Sequence, residues 1–408
     1  MIFRYPAYYE EFSCIADRCE DTCCAGWEID IDDESYGRYM SVEGELGEKL
    51  RSNIKEYEGE ETDIYERHGF RLKEGKWCPF LDEKNLCILY RELGEDALCS
   101  VCTDTPRNYM EYGNVREVSV SASCPEAARL IYKNRNCITF TEKTTEEPLA
   151  FPGGEEELAV AEWIKCAEEK EIAILQNRER PLGQRILFFL AYAVRAQEAL
   201  NRYSMAAQNA KGQETAVLHL PEETEEREGL FCTLEKEEDV PSQYALFLNR
   251  VLSFTGMESV NSEWETYLGQ LNKVFIEPSD GEERYQRALR HLCEELIRQG
   301  REYEYEHLMV YYAFLFLPRC VDDFDFLGKA KMAVASFLMV RDIDAAQWEM
   351  RGGYTVEDRL KIVRIYAREV EHSEENLEYL ADAVLFDEAY ELPGLCKACR
   401  WKQPARQT

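Results

Sequence analysis

The sequence predicts a mainly α protein, in which a small cysteine-rich N-terminal domain with short hairpins precedes an all-α helical domain. Three observations lead there. Ten of the sixteen cysteines lie at or before Cys137. That same stretch is built from turn residues and short apolar segments with few long helical periods. Beyond it, apolar residues recur at the 3.6-residue spacing of amphipathic helices. The organisation expected is a cysteine-rich, metal-binding domain over 1–137, a linker over 138–160, a helical, substrate-binding domain over 161–390 and a basic tail over 391–408.

Within the first domain, Trp77-Cys78-Pro79-Phe80-Leu81, a polar turn through Asp82 to Asn85, and Leu86-Cys87-Ile88-Leu89-Tyr90 read as a hairpin or knuckle that brings Cys78 near Cys87. The linker, from about Thr139 to Glu157, is rich in Thr, Glu, Pro and Gly, with Pro152-Gly153-Gly154 as its clearest breaker. Helical periods then cover 158–177 and 181–207, and a charged stretch from Pro221 to Asp239 interrupts them. Further helices are predicted at about 242–255, 262–274, 281–299, 303–317, 324–341, 355–371 and 374–386. The basic tail, Lys397 to Arg406, follows a last C-x2-C pair, Cys396 and Cys399.

Charge and leader signals narrow the function classes. The formal net charge of -32 repels phosphate backbones, so nucleic acid is not an expected partner. An acidic surface suits a lysine-bearing protein instead. The opening Met1-Ile2-Phe3-Arg4-Tyr5-Pro6 lacks the apolar core of a secretory signal. The longest apolar runs, Ile186 to Val194 and Leu308 to Leu317, are about half of the ~20 residues that span a bilayer. A cytoplasmic protein with no membrane span is the expectation. Cytosolic thiols stay reduced, so the cysteines point to metal binding and not to disulfides.

The cysteine pattern is Cys14-x4-Cys19-x3-Cys23-Cys24, then Trp27, Cys78 and Cys87, Cys99-x2-Cys102 with Pro106-Arg107, and Cys124-Pro125-Glu126. C-x2-C and C-x3-C steps let two sulfurs converge on one ion from a tight or helical turn. With His68 the one histidine among them, a site here is nearly all thiolate, which suits zinc or an iron–sulfur cluster and disfavours magnesium or calcium. Cys23 and Cys24, if extended, project to opposite sides and would not serve one ion together. The plainer alternative is that several of the nine are buried small hydrophobes.

These residues resemble the flagellin lysine N-methylases, related to the zinc- or iron-chelating CxxCxxCC proteins. The resemblance is carried by Cys19-Glu20-Asp21-Thr22-Cys23-Cys24-Ala25-Gly26-Trp27 with Asp30 and Asp32, by Cys78-Pro79-Phe80-Leu81-Asp82, Gly94-Glu95, and Cys102 with Pro106-Arg107. Ser123-Cys124-Pro125-Glu126-Ala127-Ala128 and, far downstream, Arg368-Glu369-Val370-Glu371-His372-Ser373-Glu374-Glu375-Asn376 complete it. It covers nearly the whole chain, most specifically the cysteine third. It implies S-adenosylmethionine-dependent methylation of lysine side chains on flagellin, with an iron–sulfur cluster, of the 4Fe–4S type, or zinc held among Cys14, Cys19, Cys23, Cys24, Cys78, Cys87, Cys99, Cys102 and Cys124. The spacing departs from the radical C-x3-C-x2-C pattern, which argues against a radical mechanism. No glycine-rich strand-to-helix fingerprint marks the donor's site.

A lysine amine needs deprotonation and positioning to become a nucleophile. Glu371 and His372 are the candidates for that role, with Asn376 beside them. The competing interpretation is that His372 ends one helix while Ser373 caps the next, although Asn376 stands where a capping box wants Glu or Gln. The rival function is a non-enzymatic metal-binding or adaptor protein with structural zinc. Tyr303, Tyr305, His307, Tyr311 and Tyr312 form an aromatic band expected to line core or groove. Cys166, Cys232, Cys293 and Cys320 read as packing residues. Arg107 either holds a carboxylate or phosphate or fixes the loop after Cys102.

If the acidic surface steers a basic protein substrate, the association rate should fall clearly as the Debye length shortens from ~30 Å at 0.01 M salt to ~8 Å at physiological ionic strength. Stopped-flow binding across that range checks this, and a salt-independent rate would reduce the net charge to a solubility feature.

Overall fold

The computed structural model describes residues 1–57, 67–74, 77–146, 154–209, 218–221 and 240–400. Cys232, nearly all of the charged stretch Pro221 to Asp239, the breaker Pro152-Gly153 and residues 401–408 of the basic tail lie outside the described residues. The mainly α class holds, with two small sheets toward the N-terminus.

The first sheet has the order β5-β6-β1-β7, with β1 Ile2–Pro6, β5 Arg107–Tyr112, β6 Val115–Val120 and β7 Phe140–Thr144. β1 runs parallel to β6 and antiparallel to β7, pairing Ile2 with Val115 and Pro6 with Phe140. β7 thus arises inside the stretch read as linker. Gly113 turns the β5–β6 hairpin at φ +53°, where a Cβ would come within 2.5 Å of the Ala161 methyl. The second sheet, β2 (Asp30–Ile31), β4 (His68–Phe70) and β3 (Ile54–Glu56), has the order β2-β4-β3. It carries its own small core of Ile29, Ile31, Tyr39, Leu50, Phe70, Phe80, Cys78 and Cys99. The first sheet contributes Tyr112 and Val115, and the turn after β6 contributes Ala122, to the large core of the helical body, so residues 1–137 feed both cores.

The predicted hairpin over 77–90 closes its turn, with Leu81 bridged to Cys87. Its second arm becomes the helix Ile88–Leu93. Asp82 Oδ1 accepts from the amides of Lys84 and Leu86 at 2.8 and 3.0 Å, which fixes the turn locally and frees the chain to coil after Cys87.

The helices run Glu155–Leu175, Leu182–Asn209, Gln243–Thr255, Ser262–Leu271, Gly281–Gln299, Tyr303–Phe316, Phe326–Arg351, Val356–Val370 and Glu374–Phe386. Most begin and end within a few residues of the periods in the sequence. The exception is Phe326–Arg351, expected to stop at 341. Arg341, Asp342, Asp344 and Gln347 look like a polar end, yet all are buried. Arg341 donates to the Ala398 carbonyl at 2.7 Å, Asp342 accepts from Tyr285 at 2.9 Å and pairs with Arg250, and Asp344 accepts from Tyr305 at 2.7 Å and pairs with Arg359. Internal pairing lets the helix continue to Gly352, which ends it at φ +70°. Part of the expected tail is also ordered: Leu392–Ala398 is a helix, and Cys396 and Cys399 are each 1% exposed.

Asp344 and Arg359 are both fully buried, so removing Asp344 leaves the Arg359 guanidinium with only its longer contact to Glu304, at 3.5 Å. Asp344→Ala should cost about 3–5 kcal/mol of unfolding free energy. Asp344→Leu with Arg359→Met should recover a large part of it in urea denaturation. A double variant no more stable than the single one would show that the pair is not what holds these helices together.

Candidate functional site

Glu371 and His372 lie at the junction of Val356–Val370 and Glu374–Phe386. Ser373 is the N-cap of the second helix and its hydroxyl accepts from Asn376 N at 3.2 Å, so the chain turns sharply after Glu371. Facing the junction is Ser121-Ala122-Ser123, delivered by the end of β6 and pinned by Ser121 N to the Pro106 carbonyl at 2.7 Å. The next residue, Cys124, is the N-cap of the helix Pro125–Lys133.

The side chains form one hydrogen-bonded group. Tyr311 Oη donates to Glu371 Oε2 at 2.6 Å and accepts from Ala122 N at 3.0 Å. Ser121 Oγ stands 3.2 Å from the same carboxylate oxygen and 3.0 Å from His372 Nε2, and Ser123 Oγ is 2.8 Å from that nitrogen. Glu371 Oε1 is buried and has no hydrogen-bond partner among the described residues. Burial pushes the Glu371 carboxyl up to about 7, against the bonds from Tyr311 and Ser121 and the nearby Arg319. Burial, helped by Arg368, pushes His372 down to about 4. The imidazole is therefore neutral at physiological pH. If Nε2 accepts from a serine hydroxyl, the ring proton sits on Nδ1.

This group abuts the cysteine module. The Trp27 ring lies 6.4 Å from His372, and its indole N–H donates to the Cys23 carbonyl at 2.8 Å. Arg368 pairs with Asp21 at 2.9 Å and donates to the Thr22 carbonyl at 3.2 Å, while Arg364 pairs with Asp21 and Glu20. Burial raises the Asp21 carboxyl, but Arg368, the Thr22 amide and Arg364 outweigh it and hold the group below its ordinary value.

Asn376 has a different setting. Its carboxamide accepts from Glu258 N at 2.9 Å and donates to the carbonyls of Glu258 and Glu369 at 2.9 and 2.8 Å. That binds the loop after Gln243–Thr255 to the helix carrying Glu369, and explains the asparagine at this third helical position better than capping does. Arg107 donates to the Thr103 carbonyl at 3.3 Å and lies over the Phe12 ring, so it fixes the loop after Cys102.

The nine cysteines are distributed around one region. The Cys23 thiol lies near that of Cys24, and the Cys102 thiol near that of Cys99. Cys102 feels Cys24 and Cys78, Cys87 feels Cys23 and Cys99, and Cys124 feels Cys19 and Cys23. Cys14 is exposed at the edge, next to Cys19. The chain bends at Cys23 and Cys24, so the opposite projection expected of an extended backbone does not apply there. Burial pushes the Cys78 and Cys124 thiols up to about 11. Among the described residues, no three His, Cys, Asp or Glu side chains converge to hold one metal ion.

Ser121, Ser123 and Tyr311 were not singled out for function by the sequence. Tyr311 lies in an aromatic band at core spacing, Ser121 follows an alternating valine strand with no motif of its own, and Ser123 enters only as the first residue of the Ser123-Cys124-Pro125 resemblance, with no role attached. The order Ser-x-Ser-Cys-Pro at a strand-to-helix junction is the signal that could have found them. A surface cleft of about 470 Å³, lined by Arg4, Phe140, Glu142, Glu169, Ile172, Ala173 and Gln176, contains none of the candidate residues.

Comparison with known proteins adds the following. Residues 171–397 match the family described as FliB lysine N-methylase C-terminal domain. The proteins named Lysine-N-methylase from Salmonella typhimurium (strain LT2) and Salmonella choleraesuis (strain SC-B67) are each 29% identical over 145 residues, covering 34% of this chain and 34% of the relative. The Flagellar biosynthetic protein FliU of Salmonella muenchen is 28% identical over 144 residues, covering 34% of this chain and 81% of the relative. The chain thus spans about a third of the two lysine N-methylases it matches. No solved structure matches. The family match covers more than half of the chain and includes Tyr311, Glu371 and His372, and the chain belongs to the FliB lysine N-methylase C-terminal domain family.

Proposed function

We propose that the protein transfers a methyl group from S-adenosylmethionine to the side-chain amine of lysine on flagellin, in the cytoplasm, with Glu371 as the general base. The observation that carries this reading is the Glu371 carboxylate, whose Oε2 is fixed by Tyr311 and Ser121 while Oε1 is buried and unpartnered. The family and the names of its relatives support the reaction class. Flagellin as the substrate is supported by the flagellar name of one relative.

A free lysine amine has a pKa of about 10.4 and is protonated at neutral pH. A carboxylate near 7 in a desolvated setting attracts that ammonium and accepts its proton at Oε1, leaving a neutral amine. His372, neutral and accepting through Nε2, steadies the Ser121 and Ser123 hydroxyls and does not compete for the proton. S-adenosylmethionine, when bound, supplies an activated methyl group on sulfur. The thiols fit a thiophilic metal by their chemistry. An iron–sulfur cluster or zinc would be held by a subset of Cys14, Cys19, Cys23, Cys24, Cys78, Cys87, Cys99, Cys102 and Cys124, and would supply folding free energy to the module that carries Trp27.

Two outcomes test this. Alanine at Cys23, Cys24, Cys78, Cys99 or Cys102 should lower bound iron or zinc in anaerobic preparations and loosen the module. Alanine at Cys293 or Cys320, buried in the helical body, should cost stability without metal. Equal metal loss from both sets would dissolve the division between them.

Glu371→Gln should reduce turnover by ~10² or more while leaving metal content unchanged. In the native protein kcat should rise with pH through about 7, as Glu371 ionises. Stability should run the other way. A carboxyl raised from 4.5 to about 7 contributes stability that is fully present below its unfolded value and is lost as pH rises through its folded one. The glutamine variant should therefore gain in melting temperature relative to the native protein above pH 7. Full activity in Glu371→Gln would end the assignment of the base.

A further inference from the structure

The two oxygens of Glu371 are treated differently by their surroundings, and the cause is one phenol. Tyr311 Oη already accepts the Ala122 amide at 3.0 Å, so its single proton is left for Glu371 Oε2, the acceptor at 2.6 Å. The direction of that bond is set by the backbone. Ser121 is a weaker donor, because its one proton has three acceptors in reach: Glu371 Oε2 at 3.2 Å, His372 Nε2 at 3.0 Å and Ser123 Oγ at 3.0 Å. Ser123 reaches His372 and Ser121 and does not touch the carboxylate.

We propose that Tyr311, aimed by the Ala122 amide, is the positioning residue of the base: it clamps Oε2 and leaves Oε1 as the carboxylate oxygen without a hydrogen-bond partner among the described residues, free to take the proton of a substrate amine, with Ser121 as a secondary donor. This rests on the reading of Glu371 as the base. A hydrogen bond from a phenol to a carboxylate is charge-assisted and roughly twice as strong as a neutral one, so a donor at 2.6 Å outweighs one at 3.2 Å that is shared three ways.

Other groups around the carboxylate do not titrate in the same range. Burial keeps Tyr8, Tyr312 and Tyr366 protonated, each further raised by Glu371. Arg319, lowered by burial but opposed by Asp322, Glu374 and Glu371, stays a cation, and His372, lowered by burial and by Arg368, stays neutral. Glu369 is also pushed up to about 7 by burial, but its carboxylate accepts from the amides of Val260 and Asn261, at a different place.

The test is a set of pH–rate profiles on the full chain, paired with infrared titration of the protonated carboxyl band, assigned to Glu371 by its loss in Glu371→Gln. Tyr311→Phe keeps the ring and removes the proton donor. Its carboxyl titration and the rising limb of kcat should both move up by about one to two pH units, with activity recovered at high pH, as expected from losing one hydrogen bond to a charged group. Ser121→Ala should move both less, and Ser123→Ala should move neither. A Tyr311→Phe enzyme that is slow by the same factor at every pH, with the band unmoved, would overturn the proposal, as would an equal shift in Ser123→Ala. Should Tyr311→Phe fail to fold, the contrast between Ser121→Ala and Ser123→Ala decides. If the band moves as expected but the native protein transfers no methyl group, positioning stands and the proposed reaction falls.

Discussion

The constraint on which the rest of the structure depends is that the helix Tyr303–Phe316 has no solvent face. Every residue from Glu304 to Phe316 is buried, so its polar groups are driven to partners inside the protein, and among the described residues the Tyr312 hydroxyl is the exception. Those partners tie the fold together. Glu304 takes Arg301, Tyr305 takes Asp344 of the central helix, and Glu306 takes Arg178 and Arg185 at 2.8 and 2.6 Å. His307 bonds through both ring nitrogens to the carbonyls of Ile131 and Asn136, each at 2.8 Å. One turn later Tyr311 repeats the move, reaching the end of β6 and Glu371 together. The candidate site is therefore an extension of the polar pairing that anchors a buried helix.

The cysteine module meets this body through charge. Asp21 sits between Arg364 and Arg368, one turn apart on the helix that ends at Glu371, and Trp27 adds an aromatic contact to His372. Asp21 is about half-buried, so its ion pairs are worth more than fully exposed ones, which contribute ~0–1 kcal/mol. The module and the helical body are thus coupled by contiguous contacts.

The helices were legible because amphipathic periodicity survives wherever one face meets water, as in Gly281–Gln299 and Val356–Val370. It failed where a helix is buried all round. The last ten residues of Phe326–Arg351 look like a polar end because Asp342 and Asp344 spend their charges on Arg250 and Arg359, which the sequence does not place beside them. The second sheet was only partly legible, since strands of two or three residues carry almost no alternation. In the site, Glu371 and His372 stood out as residues that helix geometry did not require. Ser121 and Tyr311 did not, because their roles depend on contacts across 250 and 60 positions. Asn376 stood out for the right reason, a side chain that capping could not explain, and the explanation proved to be a loop 118 residues away.

The same burial acts with opposite sign on the two neighbours at the junction. Desolvation penalises whichever form is charged, so it raises a carboxyl and lowers an imidazole. Glu371 and His372, adjacent in sequence, are driven about three units apart, to about 7 and about 4. Without that separation an ordinary imidazole near 6.5 would be the stronger base and would capture the proton that the carboxylate is meant to accept. With it, the histidine stays neutral beside the two serine hydroxyls, and of the two neighbours the glutamate is the one that changes charge near neutrality. The division of roles follows from burying both groups against the end of β6 and donating hydrogen bonds to one carboxylate oxygen. The sequence can place the two residues side by side, but only the packed helix that carries Tyr311 makes them different.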